Sequence, residues 1–243
     1  MDNVRVLRST PRSAGTAPRK PSRGRGVVRY EALLQATERL LQTHNPNEVG
    51  VYQIAEQAGV PPASVYHFFP TKEAAYLAVF ERFLEGLIQA LRQPLEARRI
   101  HSWRDLFRHD AGRGMELYNA HPAALKINYG GYGGVETRNT EIMISERMAA
   151  KGYDRLDAIF HMPVMRDPHD RFAIRMAMMD AIWSMSVREH GRITDEFFEH
   201  SMEACIAYTH TFLPTWLQPR PLLIEATERG EMITLPYVEP DLG

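Results

Sequence analysis

Ten histidines and a single cysteine are the side chains best suited to binding a metal or attacking an electrophile. Their spacing argues against both. No His-Glu-x-x-His or paired-cysteine pattern occurs, so a zinc site of ordinary spacing is not encoded. Cys205 falls within an apolar helical face, which suits a buried thiol better than a nucleophile. Neither a Gly-x-Ser-x-Gly nor a Walker pattern is present. The run Tyr129-Gly130-Gly131-Tyr132-Gly133-Gly134 lacks the strand and the Lys-Ser/Thr of a phosphate loop, and suits a mobile lid or a linker. The expectation is no enzyme, no metal and no cofactor.

The concentrated chemistry is cationic. Residues 1–29 hold Arg5, Arg8, Arg12, Arg19, Lys20, Arg23, Arg25 and Arg29 against Asp2 alone. The whole chain has a formal charge of −1, so the body beyond residue 29 is acidic. The basic stretch is rich in Pro, Gly, Ser and Thr and has little to bury, so disorder is expected over residues 1–27. It is either a solvated extension or an arm that lies along phosphates or in a DNA minor groove, where arginine is favoured. The second reading requires a DNA-binding module directly after it and would bring Arg23 and Arg25 to the DNA.

The elements that would position such chemistry are helical. With 243 residues, 44% apolar and 24% charged, the chain can bury a sizeable core without staples. One thiol fits a reducing compartment. The most apolar helical stretch, Phe172 to Val187, is interrupted by Arg175 and Asp180 and falls short of a membrane span. No apolar run follows the basic N-terminus, so no secretory signal is read and a cytoplasmic location is expected.

From Val27, Ala32, Leu33, Ala36, Leu40 and Leu41 recur at helical spacing, and Asn45-Pro46-Asn47 ends that helix. A second helix reads from Val51 to Ala58 and stops at Gly59, the residue that tolerates left-handed backbone. A third runs from Pro62 to Phe68, with proline in the first turn where its missing N–H costs nothing. Thr71 caps a fourth, which continues to about Leu91. A helix, a tight glycine turn and a second helix form the unit whose second helix enters a DNA major groove.

Residues 30–80 resemble the DNA-binding region of the tetracycline-repressor (TetR) family. The resemblance rests on Ile54-Ala55, Ala58-Gly59-Val60, Tyr66, Phe68 or Phe69, and Lys72-Glu73, taken in order. It implies an all-α protein: a basic arm (1–27), a helix-turn-helix domain (28–75, the motif itself at about 51–70) and a helical effector-binding and dimerisation domain (76–243). It also implies roles. Pro62, Ala63 and Ser64 start the recognition helix and would touch bases, Tyr66 and His67 would meet phosphate or base edges, and Tyr52, Gln53 and Lys72 would meet the DNA backbone. Tyr66 can also be read as a core aromatic and His67 as a solvated surface residue.

Two features depart from the family pattern. The second-helix cap position, often Ser or Thr, is read here as Val51. Charge is the other: from Tyr30 to Leu95, four basic residues face seven acidic ones, so attraction to DNA would have to come from the arm.

Beyond helix four, helices are expected at about 102–119, 122–128, 136–151, 168–190 and 195–213, with Asp167 and Thr194 as caps and little β structure. The helix at 168–190 carries two apolar stripes. One is Phe172, Met176, Met179 and Trp183, the other Ile174, Met178, Ala181 and Met185. A helix apolar on two sides must be covered on two sides. The resemblance favours a two-fold dimer interface drawn from Phe172, Met176, Phe198, Met202, Cys205, Ile206 and Thr209; the alternative is a purely internal core. It further implies an apolar effector pocket with a few polar anchors, for which Trp103, Phe107, Met115, Tyr118, His121, Tyr129, Met143, Met179 and Trp183 are candidates. The function expected is a homodimeric regulator on a two-fold double-stranded DNA operator, with repression relieved by a small apolar or amphipathic effector. The alternative is a helical ligand- or partner-binding protein that no longer binds DNA.

Overall fold

The computed structural model describes residues 17–130, 148 and 151–236. Met143, Gly131 to Gly134, most of the helix expected over 136–151, and the arm up to Thr16 lie outside them. The chain divides into two units at Val79/Phe80.

The first unit begins with α1 (Arg25–Thr43), three residues inside the stretch expected to be disordered. Ahead of it, the Arg19 amide donates to the Phe68 carbonyl (2.8 Å), so this part of the arm is tied to the module. α1 buries Leu33, Leu34, Ala36 and Leu41, and its Tyr30 ring sits against Phe68 and Phe69. α2 is Val51–Ala58 and α3 is Pro62–Phe68. Between them Gly59 takes φ 66°, ψ 35°, a left-handed conformation that a side chain would strain.

One expected cap moves. Gly50 occupies the cap of α2, its amide donating to Gln53 Oε1 (3.1 Å), and Val51 is the first helical residue and is buried. The missing hydroxyl at Val51 is therefore not a defect of the cap. α4 (Lys72–Arg92) starts where Thr71 Oγ1 accepts the Ala74 amide (3.2 Å). On it, the buried Tyr76 hydroxyl is shared between the carbonyls of Pro46 (2.6 Å) and Val49 (2.5 Å), holding the loop ahead of α2.

In the second unit one side chain meets carbonyls at and just beyond the end of α4. The Arg113 guanidinium donates to the carbonyls of Ala90 (2.9 Å), Gln93 (3.0 Å) and Pro94 (3.2 Å), in the stretch where a terminating helix runs short of backbone donors. α5 is Trp103–Ala120 and α6 Pro122–Tyr129. Residues 151–159 are helical and are called α7. α8 is Pro168–His190 and α9 Asp195–Thr209. Their connection is pinned by Asn119, whose amide donates to the Ile193 carbonyl (2.8 Å) and accepts the Ile193 amide (2.9 Å). Thr194 caps α9 as expected, accepting from Phe197. Asp167 does not cap α8 with its side chain. It adopts φ 49°, its carbonyl accepts the Arg171 amide (3.2 Å), and its carboxylate accepts from Arg166 (3.1 Å).

α9 is shorter than expected, and the chain then forms an element that the sequence reading missed, α10 (Pro221–Arg229). It is followed by strand β2 (Met232–Ile233), which pairs antiparallel with β1 (Leu95–Glu96) just after α4. Leu223, Ala226, Ile233 and Leu235 thus join Trp103, Leu106, Ile159, Phe160 and Phe172 in one core cluster. The Trp103 indole N–H donates to the Pro214 carbonyl (2.9 Å).

The expected dimer-interface residues turn inward. Phe172, Phe198, Met202, Cys205 and Thr209 are buried within the subunit, and Met176 and Ile206 pack on the core cluster. The reason is the choice between α8's two stripes: Phe172, Met179 and Trp183 are covered from within the unit. The outward stripe is the other one, with Ile174 and Met185 each 49% exposed.

Replacing Tyr76 with Phe removes the hydroxyl that donates to the Pro46 and Val49 carbonyls. The expected loss is about 1–3 kcal/mol of stability, read as a lower midpoint in urea unfolding followed by far-UV circular dichroism.

Candidate DNA-binding surface and ligand cavity

Around the Gly59 turn the first unit presents a row of exposed side chains. Tyr52 and Tyr66 are 68% and 46% exposed. Gln53, Ala63 and His67 are also exposed, while Pro62, Ser64 and Lys72 are half-buried. Two tyrosine rings left in water on adjacent short helices are not core aromatics, which removes the packing reading of Tyr66. Phe68 and Phe69 are the packing residues, both buried. Gln53 gives its carbonyl oxygen to Gly50, which leaves its amide N–H groups as the donors for an acceptor outside. Arg29, on α1, joins Ala63, Ser64 and His67 around a shallow recess. It was grouped with the arm in the sequence; its helical placement brings it to the start of α3. Arg23 and Arg25 are exposed at the start of α1.

The second unit holds a cavity of about 110 Å³. Its wall is largely apolar: Phe80, Leu84, Leu87 and Leu91 of α4, Leu106 of α5, Met179 and Trp183 of α8. Of the residues named from the sequence as pocket candidates, Phe107, Tyr118, Tyr129, Met179 and Trp183 line this cavity. Trp103 and Met115 are not among its lining residues, and neither is His121. Trp103 is drawn into the core cluster by α10 and β2. His121 closes the α5–α6 corner, its Nδ1 2.8 Å from the Leu117 carbonyl and its ring against Phe83. Met176, expected at a subunit interface, also lines the cavity. Tyr118, Tyr129 and Trp183 meet edge to face, with centroids 4.9–6.2 Å apart, the geometry that ring quadrupoles favour.

The charged groups of the wall were not found from the sequence. Asp110 and Arg155 form a two-point ion pair, Nε to Oδ2 at 2.8 Å and Nη2 to Oδ1 at 2.9 Å, with the Arg155 side chain 1% exposed. Asp180 accepts the Tyr129 hydroxyl (3.0 Å). Burial, then the nearby Asp180 charge, push the Tyr129 phenol well above its ordinary range, so it stays a donor. Arg175 is buried with its guanidinium carbon 4.1 Å from the Phe107 centroid and 4.5 Å from that of Phe172. Burial lowers its pKa to about 10, which still leaves it charged near neutrality. Behind it Cys205 donates to the Arg175 carbonyl (3.3 Å), and burial raises this thiol to about 11. That is the inert thiol expected of it. Among the described residues no cluster of three or more His, Cys, Asp or Glu is arranged to hold a metal ion. No described helix is long and apolar enough to cross a membrane.

Residues 33–79 match the sequence profile described as "Bacterial regulatory proteins, tetR family". The chain is similar to the HTH-type transcriptional regulator EthR of Mycolicibacterium smegmatis, 27% identical over 112 residues covering 44% of this chain and 49% of the relative. It is similar also to EthR of Mycobacterium tuberculosis, 28% identical over 145 residues, with 57% and 59% covered. These matches span about half the length of the relatives. Among solved structures, a TetR-family transcriptional regulator from Streptomyces coelicolor superposes with a TM-score of 0.56 at 20% identity, covering 78% of this chain and all of the other. A TetR transcriptional regulator from Rhodococcus sp. RHA1 does so at 0.56 and 14%, covering 74% and 94%. At these identities the likeness is one of fold.

The two ion pairs of α5 differ in burial, and their removal separates the cases. Asp110→Asn strips the carboxylate from a buried guanidinium and is expected to cost about 3 kcal/mol. Glu199→Gln removes the partner of Arg108 at the surface, where both side chains are about half exposed, and is expected to cost less than about 1 kcal/mol. Thermal unfolding of the two variants checks the order.

Proposed function

We propose that the chain, whose residues 33–79 match the TetR family of bacterial regulatory proteins, is a sequence-specific DNA-binding transcriptional regulator of that family, a repressor that a small molecule releases from its operator. The observation that carries this is the exposed row of Tyr52, Gln53, Ala63, Tyr66 and His67 flanking the left-handed Gly59 turn. In such a unit the second helix enters the major groove by its N-terminal residues. Pro62, Ala63 and Ser64 would then face bases, and Lys72, Gln53 and Tyr52 phosphates. The curated relatives are named as transcriptional regulators, which supports the same reading.

The recognition helix has no arginine or lysine for two-point reading of guanine, and residues 30–95 carry more acid than base. That balance favours one competing reading, a helical binding protein without DNA affinity. Under our proposal Arg5, Arg8, Arg12, Arg19, Arg23, Arg25 and Arg29 supply the missing attraction. Two-fold DNA sites call for two-fold proteins. The outward α8 stripe, Ile174, Ala177, Met178, Ala181 and Met185, is the proposed contact between copies. For the switch, α4 is the proposed lever: its first turns belong to the unit with the turn motif and its later residues line the cavity. An effector that fits the cavity better in the DNA-incompetent state shifts the population away from DNA.

The test begins with selection of bound duplexes from a random pool, followed by binding isotherms at several salt concentrations. Lys72→Ala is expected to weaken binding about tenfold and reduce the slope of log K against log[salt] by about 1, and deletion of residues 1–16 to reduce it by up to about 3. Tyr66→Ala is expected to weaken binding with the slope unchanged. Failure of every duplex to bind at low salt would transfer the chain to the competing reading.

The pair Ile174→Glu and Met185→Glu places charge on an exposed stripe without touching the core. Sedimentation equilibrium is expected to show monomers, and the operator isotherm to drop to that of a half-site. A dimer that survives both changes would place the contact elsewhere.

A further inference from the structure

The cavity wall contains charge that the unit does not neutralise. Arg175 is 5% exposed, stacked between two phenyl rings, and has no ion-pair partner among the described residues. Its Nη1 is buried without a hydrogen-bond acceptor, and so is Nη1 of Arg155. Both residues line the same cavity. The wall's carboxylates are engaged elsewhere: both Asp110 oxygens accept from Arg155, and Asp180 accepts from Tyr129. Gly152, on α7, makes room for the unpaired cation, since a Cβ there would stand 3.3 Å from Arg175 Nη2.

Such an arrangement is costly. Buried polar groups in folded proteins are nearly always satisfied, and an unmade hydrogen bond from a charged donor costs more than one from a neutral group. A buried guanidinium between phenyl faces gains from cation–π attraction, but that attraction uses the faces and leaves the N–H edge open. The edge is where a planar oxyanion binds.

We propose that the cavity takes an amphipathic monocarboxylate, its carboxylate held by the open edge of Arg175 together with Nη1 of Arg155, and its hydrocarbon part lying against Phe80, Leu84, Leu87 and Leu91. This rests on the second unit being the effector domain of the regulator proposed above, and it narrows the effector to an acid. Two observations point to the anion independently of that reading: the unpaired cation and the second buried orphan N–H on the neighbouring helix. The apolar remainder of the wall excludes a small hydrophilic anion as the natural occupant, because it would leave α4's leucines against an empty or wet space.

The experiment is calorimetric titration of the full chain, without DNA, with straight-chain acids of four to twelve carbons, the corresponding 1-alcohols and the corresponding amines. Some acid of the series is expected to bind at least about tenfold more tightly than its own alcohol, which a charge-assisted hydrogen bond supports, and the amine is expected to bind most weakly. Arg175→Met, which keeps the volume and removes the charge, is expected to bring acid and alcohol within about threefold of each other. Circular dichroism and the unfolding midpoint establish that this variant is folded; the ligand ranking of the unmodified chain stands as a test by itself if it is not.

If no acid exceeds its alcohol, or if folded Arg175→Met keeps the acid preference, the inference is overturned. The best ligand is then added to the operator complex. An acid that binds the cavity and leaves DNA affinity unchanged would overturn effector release while leaving the carboxylate site in place. An alcohol that matches the acid and still releases DNA would do the reverse.

Discussion

α8 is the constraint on which the second unit depends. Its 23 residues carry apolar side chains on two faces and charged ones between them, so neither face can be left to water without consequence. The inner face is fixed by Trp183, which is buried, donates to Ser201 Oγ (3.0 Å) and packs against Tyr118 and Tyr129. Once that ring is set, helical spacing puts Met179, Met176 and Phe172 on the same side, Arg175 beside them, and Asp180 within reach of Tyr129. The cavity, its charge and the outward stripe follow from one helix orientation.

The first unit was legible because its signals are short-range. Gly59, Pro62 and Thr71 act within a turn or two, and each does locally what its chemistry requires. Where the reading slipped, by placing Val51 at the cap, the cause was that a glycine can cap a helix with no side chain to advertise it. The exposure of Tyr66 was not legible, because an aromatic two positions before a Phe-Phe pair at helical spacing suits either side of α3. Burial on the α1 side by Tyr30, Phe68 and Phe69 decides it.

The second unit was less legible, for two physical reasons. Both stripes of α8 are apolar, and composition cannot say which one faces inward. That choice is made by packing against α5 and α6, which are distant in sequence, and against α9, and it moved Phe172, Phe198, Met202, Cys205 and Thr209 from a proposed interface into the core. The second reason is that charged residues at helical spacing normally mark a solvated face. Arg155 and Arg175 break that rule, one because Asp110 stands opposite it and the other because Phe107 and Phe172 enclose it. Only tertiary contacts reveal either partner. The same limit hid α10 and the β1–β2 pair, since two-residue strands have no period to read. Their effect is to take Trp103 away from the cavity wall.

Switching by the cavity is bounded by what the cavity distinguishes. A ligand can move an equilibrium only by its difference in affinity between two states. An apolar wall by itself discriminates weakly, because leucines and phenylalanines tolerate small displacements at modest cost. A guanidinium held between two rings does not: its open edge points in one direction, and a carboxylate that meets it in one arrangement of α5, α7 and α8 loses it in another. Under the proposed function this is where the coupling free energy would come from. Reciprocity then requires operator DNA to weaken the acid by the same factor by which the acid weakens DNA. The unpaired charge, a cost to the empty fold, becomes the part of the site that can tell one conformation from the other.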